Sequence, residues 1–209
     1  THLDTVPPFL PPRWEGDVLR ARGACDAKGQ AVAQLAAIGD LLGQGARGLA
    51  WLGVVGEETD SAGAQAALAL APALGGLRAL INGEPTENVL ATGQRGVVHL
   101  RLTCRGRAAH SGTPERGRSA AWPLLEWLTA LRARPAATDP ELGPELWNLG
   151  LLRAGEAPNV VPAHAEAHLL ARTLPGSTLV DDVRRLTPDD AQVEVLLEEA
   201  PDRFPPVPG

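Results

Sequence analysis

Residues 48–56 read GLAWLGVVG and run directly into Glu57, Glu58, Thr59 and Asp60. The run is apolar without alternation and ends on a glycine. A strand buried on both faces reads this way, and such strands belong to parallel sheets covered by helices. Working outward, HLDTV (2–6) reads as a short strand. DAKGQAVAQLAAIGDLLGQG (26–45) reads as a helix with Val32, Leu35, Ala36, Gly39 and Leu42 on one face. SAGAQAALAL (61–70) reads as a second helix and LRALIN (77–82) as another buried strand. Strands alternating with helices predict a doubly wound α/β layer through residue 92.

From residue 93 the period changes. In GVVHLRLTCRG (96–106), Val98, Leu100, Leu102 and Cys104 alternate with Val97, His99, Arg101 and Thr103. That period of two suits an antiparallel sheet with one wet face. A helix near 119–133, strands near 147–153 and 165–173, a short helix near 178–186 and a strand at 191–198 follow. The expected class is therefore α/β. Residues 1–92 form a doubly wound, mainly parallel sheet, incomplete here, and residues 93–200 an inserted α+β domain with an antiparallel sheet. The proline-rich end, 201–209, reads as a linker back toward the first domain.

The bulk numbers narrow the function. With 44% apolar and 21% charged residues among 209, a packed core is feasible and disorder is not indicated. A formal net charge of -6 disfavours nonspecific binding to nucleic acid or an anionic membrane. No apolar run approaches the roughly 18 residues that span a bilayer. Cys25 and Cys104 make no disulfide framework and are compatible with a reducing cytoplasm. Arginine outnumbers lysine eighteen to one, and the single lysine, Lys28, sits in ACDAKG, where it reads as structural.

Clustered carboxylates suit a cation. His2 and Asp4 are i and i+2 on a strand and project to one side. An imidazole that binds a metal usually has its other nitrogen held by an acceptor such as a carboxylate. Asp26 stands before a helix, where it also reads as an N-cap. Glu57 and Glu58 follow a buried strand, where open α/β sheets place ligand-binding groups. Two adjacent carboxylates there repel unless a cation or proton intervenes. Glu84, in INGEPT (81–86), repeats the arrangement. One histidine and three carboxylates at one predicted sheet edge form a ligand set for paired first-row divalent ions.

HLDTVP (2–7), RGACDAKG (22–29), GEETDSAGA (56–64), INGEPT, GRAAHSGTPERGRSA (106–120) and NVVPAHAEAHLLART (159–173) together resemble the dizinc exopeptidase and deacylase family. That family includes acetylornithine deacetylase, succinyl-diaminopimelate desuccinylase, aminoacylase and glutamate carboxypeptidase. The resemblance implies two zinc ions, with cobalt able to substitute. His2 would bind one metal, Glu58 would bind one ion and Glu84 the other, and Asp26 would bridge both. Asp4 would steady His2, and Glu57 would be the general base. A non-proline cis peptide just after Asp26 is also implied.

The second domain would be a lid through which two copies form a homodimer. His110 would reach into the partner's active site and stabilise the oxyanion. Asn159 and Arg172 would hold the substrate's free carboxylate, a task suited to the arginine fork. His99 reads as solvated, His164 as a turn residue and His168 as structural. Trp122, Trp127 and Trp147 read as core or interface. The family has segments before HLDTVP and a last metal-binding histidine after the lid, so the chain is expected to be the middle of a longer protein. The expected function is hydrolysis of an N-acyl amino acid by a cytoplasmic metalloenzyme. A dipeptidase or carboxypeptidase of the same family is the alternative within the class, and a noncatalytic binding or dimerisation protein the alternative outside it.

Overall fold

The computed structural model describes residues 1–204, so the last five positions of the expected linker, 205–209, lie outside the described residues. The chain divides into two compact units, residues 1–90 and a second unit from residue 91.

The first unit opens with extended chain and a hairpin, β1 (Arg13–Glu15) and β2 (Val18–Arg20), in register Glu15↔Val18. Its two-residue Gly16-Asp17 connection, with Gly16 at φ +61°, is a recognised hairpin signal that the reading above did not use. A turn at Ala24–Lys28 leads into α1 (Gly29–Gly43), and α2 (Ala62–Ala67) continues as a 3₁₀ turn through Leu74.

The expected parallel pairing is present as one bridge. Leu3 N–H donates to Val54 O at 2.9 Å, and Val54 N–H to Thr1 O at 3.1 Å. Residues 77–82, expected as a buried strand, carry no ladder, and Leu80 and Ile81 are 81% and 76% exposed. A parallel strand is buried only when neighbours and both covering layers are present. Among the described residues nothing covers these two side chains. The same holds for α1, where Val32, Leu35 and Leu42 are exposed and Ala31 is the buried residue. A polar side chain makes the cross-link instead: Gln34 accepts from Trp51 Nε1 at 3.1 Å and donates to Ile81 O at 3.3 Å.

The second unit follows the expected pattern closely. A four-stranded antiparallel sheet has the order β7–β8–β4–β9, from β4 (Gly96–Arg105), β7 (Leu146–Ala154), β8 (His164–Thr173) and β9 (Ala191–Glu199). Small ribbons accompany it: β3 (Gly93–Gln94) with β10 (Asp202–Arg203), and β5 (Thr138–Asp139) with β6 (Gly143–Pro144). Asp202 and Arg203, expected as linker, are thus paired.

One sheet face carries Val98, Leu100, Leu102 and Cys104 of β4 and Ala165, Ala167, Leu169 and Ala171 of β8, all buried. The alanines leave room for α3 (Ala121–Arg132) and α4 (Leu179–Arg185). α3 inserts Leu124, Trp127, Leu128 and Leu131, a one-sided i, i+3, i+4, i+7 stripe, and α4 inserts Leu179 and Val183. Trp127 Nε1 donates to Val183 O at 3.3 Å, which satisfies the one polar atom of that buried ring. Trp147 packs against this core, whereas Trp122 is 67% exposed.

The opposite face is polar. His99 and His168 are hydrogen-bonded, Nε2 to Nδ1, at 3.1 Å, and His168 Nε2 reaches Glu166 Oε1 at 3.2 Å. His99 is therefore half-buried in a side-chain chain rather than simply solvated. His164 is the exposed first residue of β8.

Candidate metal centre

In the first unit the His2 ring is 1% exposed. Its Nε2 lies 2.8 Å from Asp26 Oδ1, 3.7 Å from Glu84 Oε2 and 3.9 Å from Glu57 Oε2. His2, Asp26 and Glu84 each offer a ligand atom, all within 4.8 Å of one another. Three separate segments deliver these atoms. Val54 pins the chain around His2. The Ala24–Lys28 turn, with a cis peptide between Asp26 and Ala27, presents Asp26. Glu84 follows the extended segment that Gln34 holds at Ile81.

Asp4 does more than face the His2 ring, which it meets at 3.5 Å through Oδ1 and at 3.2 Å through its carbonyl. Its two carboxylate oxygens accept the backbone N–H groups of Glu57 (3.3 Å) and Glu58 (3.2 Å). One aspartate therefore orients the imidazole and fixes the turn bearing both glutamates. Gly56, at φ +84°, starts that turn in a conformation that glycine adopts without strain. The Glu58 side chain accepts from Val6 N–H at 3.3 Å and stands outside the three-residue cluster.

The electrostatics are those of a site with surplus negative charge. Burial works against a charged His2, yet the Asp26 hydrogen bond and the charges of Glu84 and Glu57 outweigh it and raise its pKa above the ordinary value. Desolvation, with Glu57 and Asp26 nearby, raises Glu84 despite the opposing pull of His2. Burial pushes Asp4 up, but the N–H groups of Glu58 and Glu57 hold it below the usual carboxylate range. A divalent cation would relieve the repulsion that protons otherwise relieve. An imidazole with hard carboxylate oxygens is a donor set that zinc and cobalt accept.

In the second unit, His110 and Asn159 are neighbours. His110 bridges Val160, and Ser111 N–H donates to Asn159 O at 2.9 Å. His110 Nδ1 accepts from Gly112 N–H at 3.0 Å, and among the described residues Nε2 of this exposed ring has no hydrogen-bond partner. Arg172 is exposed on β8, opposite Val97. It lies eight residues along the strand from His164, roughly 27 Å from the Asn159 end at about 3.4 Å per residue.

Lys28 is the residue whose placement the sequence reading did not anticipate. Its Nζ donates to Leu3 O at 2.8 Å, between His2 and Asp4. Its isolation among eighteen arginines is the one signal that singled it out.

Comparison with known proteins bears on the fold and its relatives. Residues 92–188 match the peptidase dimerisation domain. A peptidase M20 domain-containing protein of Schizosaccharomyces pombe is 34% identical over 98% of the chain, and a probable carboxypeptidase of Aspergillus flavus is 36% identical over 99%. The chain spans about half the length of these relatives, 52% and 51%. A Staphylococcus aureus tripeptidase superposes over 98% of this chain and 58% of its own, with TM-score 0.68 and 20% identity. The aminopeptidase PepT of Bacillus cereus covers the same shares with TM-score 0.63 and 19% identity. These likenesses show the α/β fold of the peptidases with an antiparallel dimerisation sheet. Residues 92–188 thus match an M20 peptidase dimerisation domain, and along nearly its whole length the chain is similar to M20 peptidases and probable carboxypeptidases.

Proposed function

We propose that the intact gene product is a metal-dependent amide hydrolase acting on N-acyl amino acids. The observation that carries this reading is the convergence of His2, Asp26 and Glu84 beside Glu57. His2, Asp26, Glu58 and Glu84 would hold two divalent ions, zinc or cobalt; Glu58 would release Val6 N–H to do so. Such ions supply the Lewis acid that acidifies water and polarises an amide carbonyl. Glu57 takes the proton of the attacking water on a carboxylate oxygen and returns it to the leaving nitrogen. Asp4 keeps the His2 ring and the Glu57 backbone in place. The cytoplasm is the compartment of choice, both cysteines being free.

His110 donates to the developing oxyanion, and Asn159 and Arg172 hold the substrate's carboxylate. About 27 Å of strand separates the Asn159 loop from Arg172, so one acyl amino acid cannot touch both residues of a single copy. Two copies of the dimerisation domain supply both: His110 and Asn159 come from one and Arg172 from the other.

A carboxypeptidase or dipeptidase reading has its own support, because relatives carry the name probable carboxypeptidase. The test is amine release by the full-length protein, with added zinc or cobalt, from N-acetyl- and N-succinyl-amino acids and from dipeptides. Faster release from the acyl amino acids is expected. Faster release from dipeptides favours the second reading. Bound metal with no hydrolysis of any substrate overturns both and leaves a noncatalytic binding protein.

A further inference from the structure

Lys28 belongs to two structures at once. Its backbone N–H closes the Gly23–Lys28 turn by donating to Gly23 O at 3.0 Å, and that turn presents Asp26. Its side chain crosses to the other ligand segment, where the ammonium donates to Leu3 O at 2.8 Å. The parallel bridge that pins the His2 segment includes Leu3 N–H→Val54 O. The carbonyl of the same residue then takes the ammonium, one residue from His2 and one from Asp4.

The local sequence is fitted to this reach. Gly23 is buried at φ +78°, and a Cβ there would lie 2.8 Å from Lys28 Nζ and 2.5 Å from Thr5 Cγ2. The positive φ favours glycine there, and any Cβ would push aside the ammonium on its way to Leu3. The compact ammonium fits where the wide guanidinium fork would not. This accounts for a lysine in a chain whose other eighteen cationic side chains of this class are arginines. A cation beside a cation-binding site is unfavourable by charge alone, so its position needs another reason.

We propose that Lys28 is a positioning residue that ties the His2–Asp4 segment to the Asp26 turn and so sets the geometry of the metal centre. The proposal rests on the metal-site reading above. The two are separable because the tie exists without metal.

The test compares full-length wild type with Lys28→Met, which keeps the stem length and removes the donor. Three readouts are used: amide exchange of residues 1–5 in the metal-free protein, zinc affinity, and the visible spectrum of the cobalt-loaded protein. Lys28→Met should speed exchange at Leu3, weaken zinc binding about tenfold and alter the cobalt bands. Unchanged exchange at Leu3 overturns the tie. A charge-only role predicts tighter zinc binding, and that outcome also overturns it. A general loss of stability would lower the melting temperature while leaving the spectrum of the loaded protein as in wild type, and this too counts against it. If wild type binds neither zinc nor cobalt, the metal-site reading fails, and the exchange result alone still decides whether Lys28 makes the tie.

Discussion

Asp4 commits both carboxylate oxygens to the backbone of Glu57 and Glu58, so the proposed general base is held through its main chain while its carboxyl group stands beside His2, 3.9 Å from Nε2. That division predicts how Glu57→Gln behaves in the full-length protein. The anchor to Asp4 survives, because it uses N–H groups, and only proton transfer is lost. Turnover should fall by about 10²–10⁴ with zinc affinity within a few-fold of wild type, read from steady-state rates and metal titration. A near-normal rate would remove Glu57 from its role. His2 gives a second prediction. Burial lowers its pKa, but Asp26, Glu84 and Glu57 outweigh this and raise it above the ordinary 6.5, so a proton competes with a metal for this ring as the pH falls. Zinc affinity should therefore be highest at pH 8 and fall as the pH drops through this raised value. The slope should approach tenfold per pH unit for one displaced proton. Titration at pH 8, 7 and 6 measures it, and a flat profile would mean that His2 does not bind the ion.

β4 and β8 form the centre of the second unit's sheet, and their inward apolar residues meet α3 and α4, where Trp127 Nε1 donates to Val183 O. Leu100→Ala on β4 should cost about 2–5 kcal/mol, measured by denaturant unfolding; a smaller loss would mean that the site collapses around the gap. A polar network closes the edge of this layer. Asp182 on α4 accepts from Arg134 Nε at 2.7 Å and Thr178 Oγ1 at 2.8 Å and also pairs with Arg185, which lowers its pKa to about 2. A depressed carboxylate contributes stability that is fully present above its ordinary value of 3.8 and is lost as pH falls toward about 2. Asp182→Asn should lower stability at pH 5 and flatten its fall between pH 4 and 2; equal slopes for the two proteins would exclude the network as the cause. This unit was legible because alternation in β4 and the helical stripe of α3 are short-range patterns whose partners lie within the same residues. The strand expected at 77–82 was not realised because burial of a parallel strand depends on layers that the described residues do not contain. Of the expected ligand set, motif order picked out His2, Asp26 and Glu84, which converge, whereas Glu58 stands outside that cluster. The use of Asp4 as a backbone acceptor and of Lys28 as a tether was not, since neither hydrogen bond leaves a mark in spacing.

Arg172 and the His110–Asn159 loop occupy opposite ends of β8, and this separation has a consequence for the whole assembly. If each active site draws His110 from one copy and Arg172 from the other, two inactive variants can restore each other. His110→Ala and Arg172→Ala proteins, each homodimeric, would both lack a complete site. Mixed in equal amounts and allowed to exchange, half of the dimers are hybrids. In a hybrid, one site collects both lesions and the other collects neither. About a quarter of all sites are then intact, and activity should return to about a quarter of wild type. A site built within one copy gives the opposite result, because every site of a hybrid then carries exactly one lesion and mixing restores nothing. The measurement needs only the rate before and after exchange, with the hybrid fraction verified by a tag on one variant. Recovery that tracks the hybrid fraction would also tie activity to dimerisation, since the same dilution that separates the copies should abolish it.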